Sequence, residues 1–298
     1  MRTIDARPVR FGELAGPLVH GGAFFDWQLV STQEIATAVE YPFQRIVAGG
    51  GIPFAPVVVR TSVHRYPTFD DTITVETAPR AVGDSSVEFV YEMHDGNGDP
   101  LATARMVHVT IGPNGRALAL PEETQETLVD ARVDRDPAVG PGANKNSDTD
   151  DADDDDSTDG VDSDDADDYP TLAGSFPIRS PHIERSELAY FEEYPRFADV
   201  VLEEFLATEG TSLDELSGEK RPFRLRDWRW NFESPVAFES VLDVECDVLA
   251  VDAETVRVTH TFSTNGRTRI EGVTEYGCFD RSGSPVPFDA AALAPFEP

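Results

Sequence analysis

The feature that most constrains this chain is an internal repeat. Residues 52–93 and 221–262 superpose at a constant offset of 169, with no gap and 9 identities in 42 positions. Pro53 falls on Pro222, Phe54 on Phe223, Arg60 on Arg229 and Phe69 on Phe238. Val75-Glu76 then fall on Val244-Glu245, Ala81-Val82 on Ala250-Val251, and Val87 on Val256. A register that survives turns and several strands marks two copies of one module, and therefore two domains of like architecture.

Each copy reads as one helix followed by a meander. Residues 21–40 carry Phe24, Phe25, Trp27, Leu29, Val30, Ile35, Ala36 and Val39, apolar on nearly every side, as a helix buried within a fold requires. After Gly49-Gly50-Gly51 the period changes to two, and strands are expected at 57–65, 72–77, 87–94 and 101–111. In the second copy Phe197, Val200, Val201 and Phe205 form a helical stripe with Pro195 in the first turn. Strands are expected there at 225–232, 241–248, 255–262 and 269–279.

Between the copies, residues 147–168 hold 13 aspartates and no base. A segment so poor in large apolar residues cannot offset its ordering entropy, so 121–170 is expected to be a disordered, solvated linker between domains at 1–120 and 171–298. Without that tract the formal net charge of -32 still leaves about 19 negative charges on the rest, and only Lys145 and Lys220 are lysine. Such an acidic, lysine-poor surface suits molar salt, where like charges are screened. It offers no extended basic face for phosphodiester backbones, which argues against nucleic-acid binding. Cys246 and Cys278 make no metal framework and are expected as reduced core residues. The start of the chain shows no apolar signal region and no run approaches ~18 apolar residues, so a soluble cytoplasmic protein without membrane contact is expected.

The opening Val9-Arg10-Phe11-Gly12-Glu13, then Leu18-Val19-His20 running into Phe24-Phe25-Asp26-Trp27, resembles the 4-hydroxybenzoyl-CoA thioesterase-like family. Gly51-Ile52-Pro53-Phe54 and the run from Val63 through Pro67 to Asp70-Asp71 are similar to that family's long strand and Pro-containing turn. The second-half counterparts are Arg221-Pro222-Phe223 and the run from Ser234 to Glu239. The resemblance implies an α+β hotdog fold, a long helix wrapped by one curved antiparallel sheet. Two in tandem imply an intrachain pseudo-dimer that hydrolyses an acyl-CoA thioester at the domain interface. No cofactor is implied, and the pseudo-dimer could assemble further into a homo-oligomer.

Thioester hydrolysis needs a carboxylate to activate water and donors to hold an oxyanion. His20-Gly21-Gly22 ahead of the first helix supplies candidate donors: two glycines admit a ligand to the backbone, and unpaired N–H groups favour negative charge. The same glycines would also serve tight packing. Phe24 and Trp27 are the candidate acyl-binding rings. The carboxylate is less clear. The family usually places an Asp where this chain has Ala15, and a related group places the acid nine residues after the His, here Leu29. Glu13, matched to a supporting acid, is the candidate catalytic carboxylate beside His20, with Asp26 and Glu34 as alternatives. In the second half Glu187, Glu192 and Glu193 are candidates that read equally as a solvated face. Trp228 and Trp230 read as packing against a helix or the domain interface. Two other functions stay open: an acyl-CoA-binding double hotdog without chemistry, and a hydratase or dehydratase of the same fold.

Overall fold

The computed structural model describes residues 1–134, 169–183 and 187–297. The first half runs β1 (Arg2–Pro8), β2 (Leu14–Ala15), β3 (Leu18–Val19), α1 (Gly22–Ala38), α2 (Phe43–Ala48), β4 (Ile52–Val63), β5 (Thr72–Val82), β6 (Ser86–His94), β7 (Pro100–Ile111) and α3 (Glu122–Asp130). The second runs β8 (Thr171–Pro177), α4 (Glu193–Thr208), α5 (Leu213–Leu216), β9 (Lys220–Phe232), β10 (Val241–Val251), β11 (Thr255–Thr264), β12 (Arg267–Asp280), β13 (Pro285–Val286) and α6 (Ala290–Leu293).

Among the described residues one antiparallel sheet takes in both halves, in the order β1-β5-β6-β7-β4-β9-β12-β11-β10-β8, with β13 on β12. Each half is a helix held in its own part of the sheet, and the two parts join at β4–β9. This is the expected α+β double hotdog and intrachain pseudo-dimer. At the join Val59 pairs with Trp230, Arg60 with Arg229 and Thr61 with Trp228. Strand alternation sends Val59, Thr61, Trp228 and Trp230 inward, where all are buried, while Arg60 and Arg229 face solvent.

Helix α1 is buried because its apolar surface is nearly continuous, while α4 turns an apolar side to the sheet and leaves Arg196, Glu203 and Glu204 exposed. Phe24, Phe25, Trp27, Ile35 and Ala36 of α1 are all core residues. Phe25 stacks on Trp228 at 4.8 Å and 10°, and lies 5.7 Å from Trp230. Helix one thus packs on strands of the other half, as the Trp pair led us to expect. Inside the first half, Gln28 donates to Thr61 Oγ1 at 3.0 Å, and Thr32 Oγ1 lies 2.7 Å from the Tyr91 hydroxyl. These bonds fix the rotation of α1 against the sheet.

The expected strands are present and somewhat longer. Two edge strands, β1 and β8, lie outside those expectations. The stretch expected to be disordered from 121 begins instead with α3: Leu128 and Thr124 are buried, Gln125 donates to the Gly83 carbonyl at 3.1 Å, and the Val133 amide to Pro79 at 2.9 Å. Those anchors tie residues up to 133 to the first half. The Asp-rich run itself lies outside the described residues. Cys246 and Cys278 are buried and unbridged. No helix among the described residues is long and apolar enough to cross a membrane.

Candidate active site

The repeat can be followed through the segments that lead into the two helices. The Arg10 amide donates to the side chain of Glu13, and the Arg179 amide to that of His182, so these turns correspond at the 169-residue offset. Past them the second half is one residue longer. The Val19 amide bonds Pro67 and the Ala189 amide bonds Val236; Ala23 caps onto His20 as Glu193 does onto Tyr190. His20 therefore corresponds to Tyr190, Gly21 to Phe191 and Gly22 to Glu192.

Glu13 is fully engaged. Its carboxylate accepts from Arg7 at 2.5 Å, the Arg10 amide at 2.7 Å and Trp27 Nε1 at 3.0 Å. Burial pushes its pKa up, but these bonds outweigh burial and hold it below the ordinary value. The arrangement braces the entry to α1 and leaves Glu13 poorly placed to take a proton. Trp27 is the other end of the brace, with Arg7 5.7 Å above its ring. Phe24 lies edge-on to Trp27, Tyr66 and Trp228. Both rings, expected to line an acyl site, are fully buried core.

His20, Gly21 and Gly22 meet the other half. A Cβ on Gly21 would lie 2.6 Å from Leu225 Cδ1. One on Gly22 would lie 3.1 Å from both the Glu192 carbonyl oxygen and His20 Nδ1. The halves thus pack closely over both glycines, and a side chain at either would have to displace its neighbour. Among the described residues the Gly21 and Gly22 amides have no backbone acceptor, as expected at a helix start. His20 Nδ1 is buried and without a partner. Burial, then the charges of Arg196 and Arg224, push the imidazole down to about 4, so it is neutral at physiological pH.

A residue that sequence reasoning passed over completes this corner. Asp199 of α4 stands nine residues after Tyr190, the same spacing that leads from His20 to Leu29. Burial pushes its carboxyl up to about 7, with Arg224 and Arg196 pulling it down and Glu203 opposing them. Its charge also acts on Tyr66, whose hydroxyl donates to the Leu225 carbonyl at 2.7 Å. Arg224 Nη2 donates to the Ala15 carbonyl at 2.6 Å, which sets this arginine beside the position where the resembling family carries an Asp. His20 and Asp199 both feel Arg196 and Arg224, although they come from different halves. The signal in the sequence was a carboxylate nine residues after Tyr190, between the apolar pairs Phe197-Ala198 and Val200-Val201.

Where the helix starts meet, the carboxyls of Asp26 and Glu192 hydrogen-bond to each other. Burial and the neighbouring Asp26 charge push Glu192 up to about 6, and burial and Glu13 raise Asp26. Of the other candidate acids, Glu193 is bound by Arg196 at 2.6 Å, while Glu34 and Glu187 are exposed.

Further along the face of α1 that carries Gly22 and Asp26, a groove of about 430 Å³ runs between the halves. Leu29, Phe43, Val47 and Phe54 line it from the first half, and Phe191 and Phe232 from the second. Its size suits a small-molecule ligand, for which about 300–1,000 Å³ is usual. Leu29 occupies the wall position that Asp199 takes in α4, and Asp26 stands one helical turn before it.

No protein-family model and no curated protein matches the sequence. Solved structures match along nearly the whole chain. A protein of Lactobacillus plantarum described as an oleoyl thioesterase superposes with a TM-score of 0.68 at 12% identity, covering 93% of this chain and 96% of that one. The 12:0-ACP thioesterase of Umbellularia californica gives 0.66 at 15%, with the same coverage. An acyl-ACP thioesterase of Bacteroides thetaiotaomicron gives 0.60 at 14%, again over 93% and 96%. At these identities the likeness is one of fold, a double hotdog shared from end to end.

Proposed function

We propose that the chain hydrolyses an acyl thioester, with the thioester carbonyl held at the start of α1 and water activated by Asp199. The observation that carries this reading is the position of Asp199: a half-buried carboxyl from the second half, set in one electrostatic cluster with His20 of the first. A carboxyl titrating near 7 is a competent general base at neutral pH, because it is ionised in a useful fraction and still basic enough to take a proton. The free amides of Gly21 and Gly22 and the neutral imidazole of His20 are donors for the oxyanion. Attack of water on the carbonyl gives the tetrahedral intermediate, whose collapse breaks the C–S bond and releases the acid and the thiol. The proton taken by Asp199 then returns to the departing sulfur. The full-length likeness to three double hotdogs described as thioesterases supports the same reading, and acyl-CoA is the substrate we favour. We take 1–120 and 171–298 as the two hotdog units.

Ala15 in place of the usual Asp favours one competing reading, a double hotdog that binds acyl-CoA without chemistry. Thiol release from a panel of acyl-CoA and acyl-carrier-protein thioesters separates the two. Turnover that disappears in Asp199→Asn is expected. Saturable binding in calorimetry with no thiol released from any ester would overturn hydrolysis.

A further inference from the structure

The chain has 56 acidic residues against 24 lysines and arginines, so a cation can readily find a carboxylate. Arg7, Arg65, Arg80, Arg196 and Lys220 each have one within 3.0 Å. Arg221, Arg224 and Arg281 are among the arginines that do not, and they alone of these gather at the loop leading to His20. Among the described residues none of the three has a carboxylate within 4.0 Å. Arg221 Nη1 donates only to the carbonyls of Ser217, Gly218 and Lys220, at 2.8, 3.1 and 2.6 Å, and Arg224 to that of Ala15.

Strand register brings these arginines to one end of the sheet. Arg224 pairs with Gly277 and Arg221 with Phe279, and Arg281 follows two residues later. The Arg221 Nε lies 3.9 Å from where a Cβ on Gly16 would stand, so Arg221 and Arg224 flank the Ala15–Gly16 loop that leads to His20. Arg281 is exposed and Arg221 half-buried. Burial, then the charges of Arg281 and Arg224, hold the Arg221 guanidinium below its ordinary pKa, with Glu219 opposing them, as expected where like charges crowd. Guanidinium forks match phosphate oxygens in pairs, and an anion placed among them would relieve the mutual repulsion.

We propose that Arg221, Arg224 and Arg281 seat a phosphate group of a phosphopantetheine thiol, and so orient its thioester toward His20 and the start of α1. The inference rests on the thioester reading for its purpose, but its test does not need turnover.

Calorimetry on the full chain with CoA, 4′-phosphopantetheine and pantetheine reads the seat directly. Phosphate-bearing thiols should bind at least about tenfold more tightly than pantetheine, a difference of about 1.4 kcal/mol. The exposed Arg281→Gln should shrink that preference severalfold, and R221Q/R281Q should erase it; Arg116→Gln, on a distant exposed turn, serves as the charge control. Thermal melts identify any variant that fails to fold, and R281Q, whose exposed side chain has no hydrogen bond or ion pair among the described residues, keeps the test decisive. Equal binding of CoA and phosphopantetheine would support a single-phosphate seat usable by a carrier protein as well. Preference for CoA over both would support recognition of its further phosphates. Equal affinity for all three thiols, or R281Q and R116Q giving equal losses, would overturn the seat. Arginine-dependent CoA binding without any thiol release would leave the seat standing and remove the hydrolase reading alone.

Discussion

Arg60 is paired across the central strands with Arg229, the residue that holds its own place in the second repeat. A residue facing its own counterpart marks the approximate two-fold axis, which therefore passes between these two arginines. Both are exposed and of like charge, and directly opposed like charges weaken an antiparallel pair. Arg60→Glu should raise stability by about 0.2–1 kcal/mol. The urea midpoint measures it, and Arg60→Glu/Arg229→Glu, which restores like charges, should give the gain back.

Asp199 must be ionised to accept a proton from water. Thiol release should therefore rise with pH through about 7 and level off above it. Asp199→Asn should lower kcat by about 10²–10⁴-fold with the fold intact. Arg224 pulls the Asp199 pKa down, so Arg224→Gln should move the midpoint of the kcat profile to higher pH. A profile unmoved by either change would remove Asp199 from the chemistry.

The Asp26–Glu192 pair links pH to folding. Glu192 has an ordinary pKa of 4.5 and is raised to about 6 in the fold, so the folded chain binds this proton more tightly than the unfolded one. The associated stability is fully present below 4.5 and is lost as pH rises through about 6, and it amounts to the order of 1–2 kcal/mol. Glu192→Gln should flatten that part of the stability–pH curve. An unchanged slope in the variant would show that other carboxyls set it.

Glu13→Gln tests the brace at the entry to α1. Losing a charged acceptor for Arg7, Trp27 and the Arg10 amide should cost about 1.5–3 kcal/mol, read as a lower denaturation midpoint. If E13Q, matched for folded fraction, lost more thiol release than D199N, Glu13 would return as the catalytic acid.

The sheet was readable because its strands alternate with period two in both copies, and α1 because its apolar residues surround the axis. The edge strands were hidden: in β1 only Ile4 is buried, and in β8 only Leu172. Helix α3 escaped notice because its sequence is mostly polar and its anchors are Leu128, Thr124 and a bond from Gln125. Of the proposed site, only the donor end was readable. Glu13 looked free because its partners Arg7 and Trp27 lie on other elements, and Asp199 was missed because the ungapped repeat slips by one residue before the helix. The nine-residue spacing, applied to His20 alone, ends on Leu29; applied to Tyr190, it ends on the acid.

The join between β4 and β9 has a consequence for how such a site can change. A homodimer of identical hotdogs has one codon for each pair of related positions, so any substitution near the axis is made twice. In this chain the two strands that meet are encoded separately. Gly22 faces Glu192 where symmetry would set glycine or glutamate on both sides, and Asp199 stands in one half while Leu29 stands in the other. Fusion has doubled the number of independent choices at the axis. The half with Gly21, Gly22 and Leu29 can keep donors and an apolar wall without an acid, while the half with Asp199 keeps the acid without the glycines, so the two sites across the axis need not be alike.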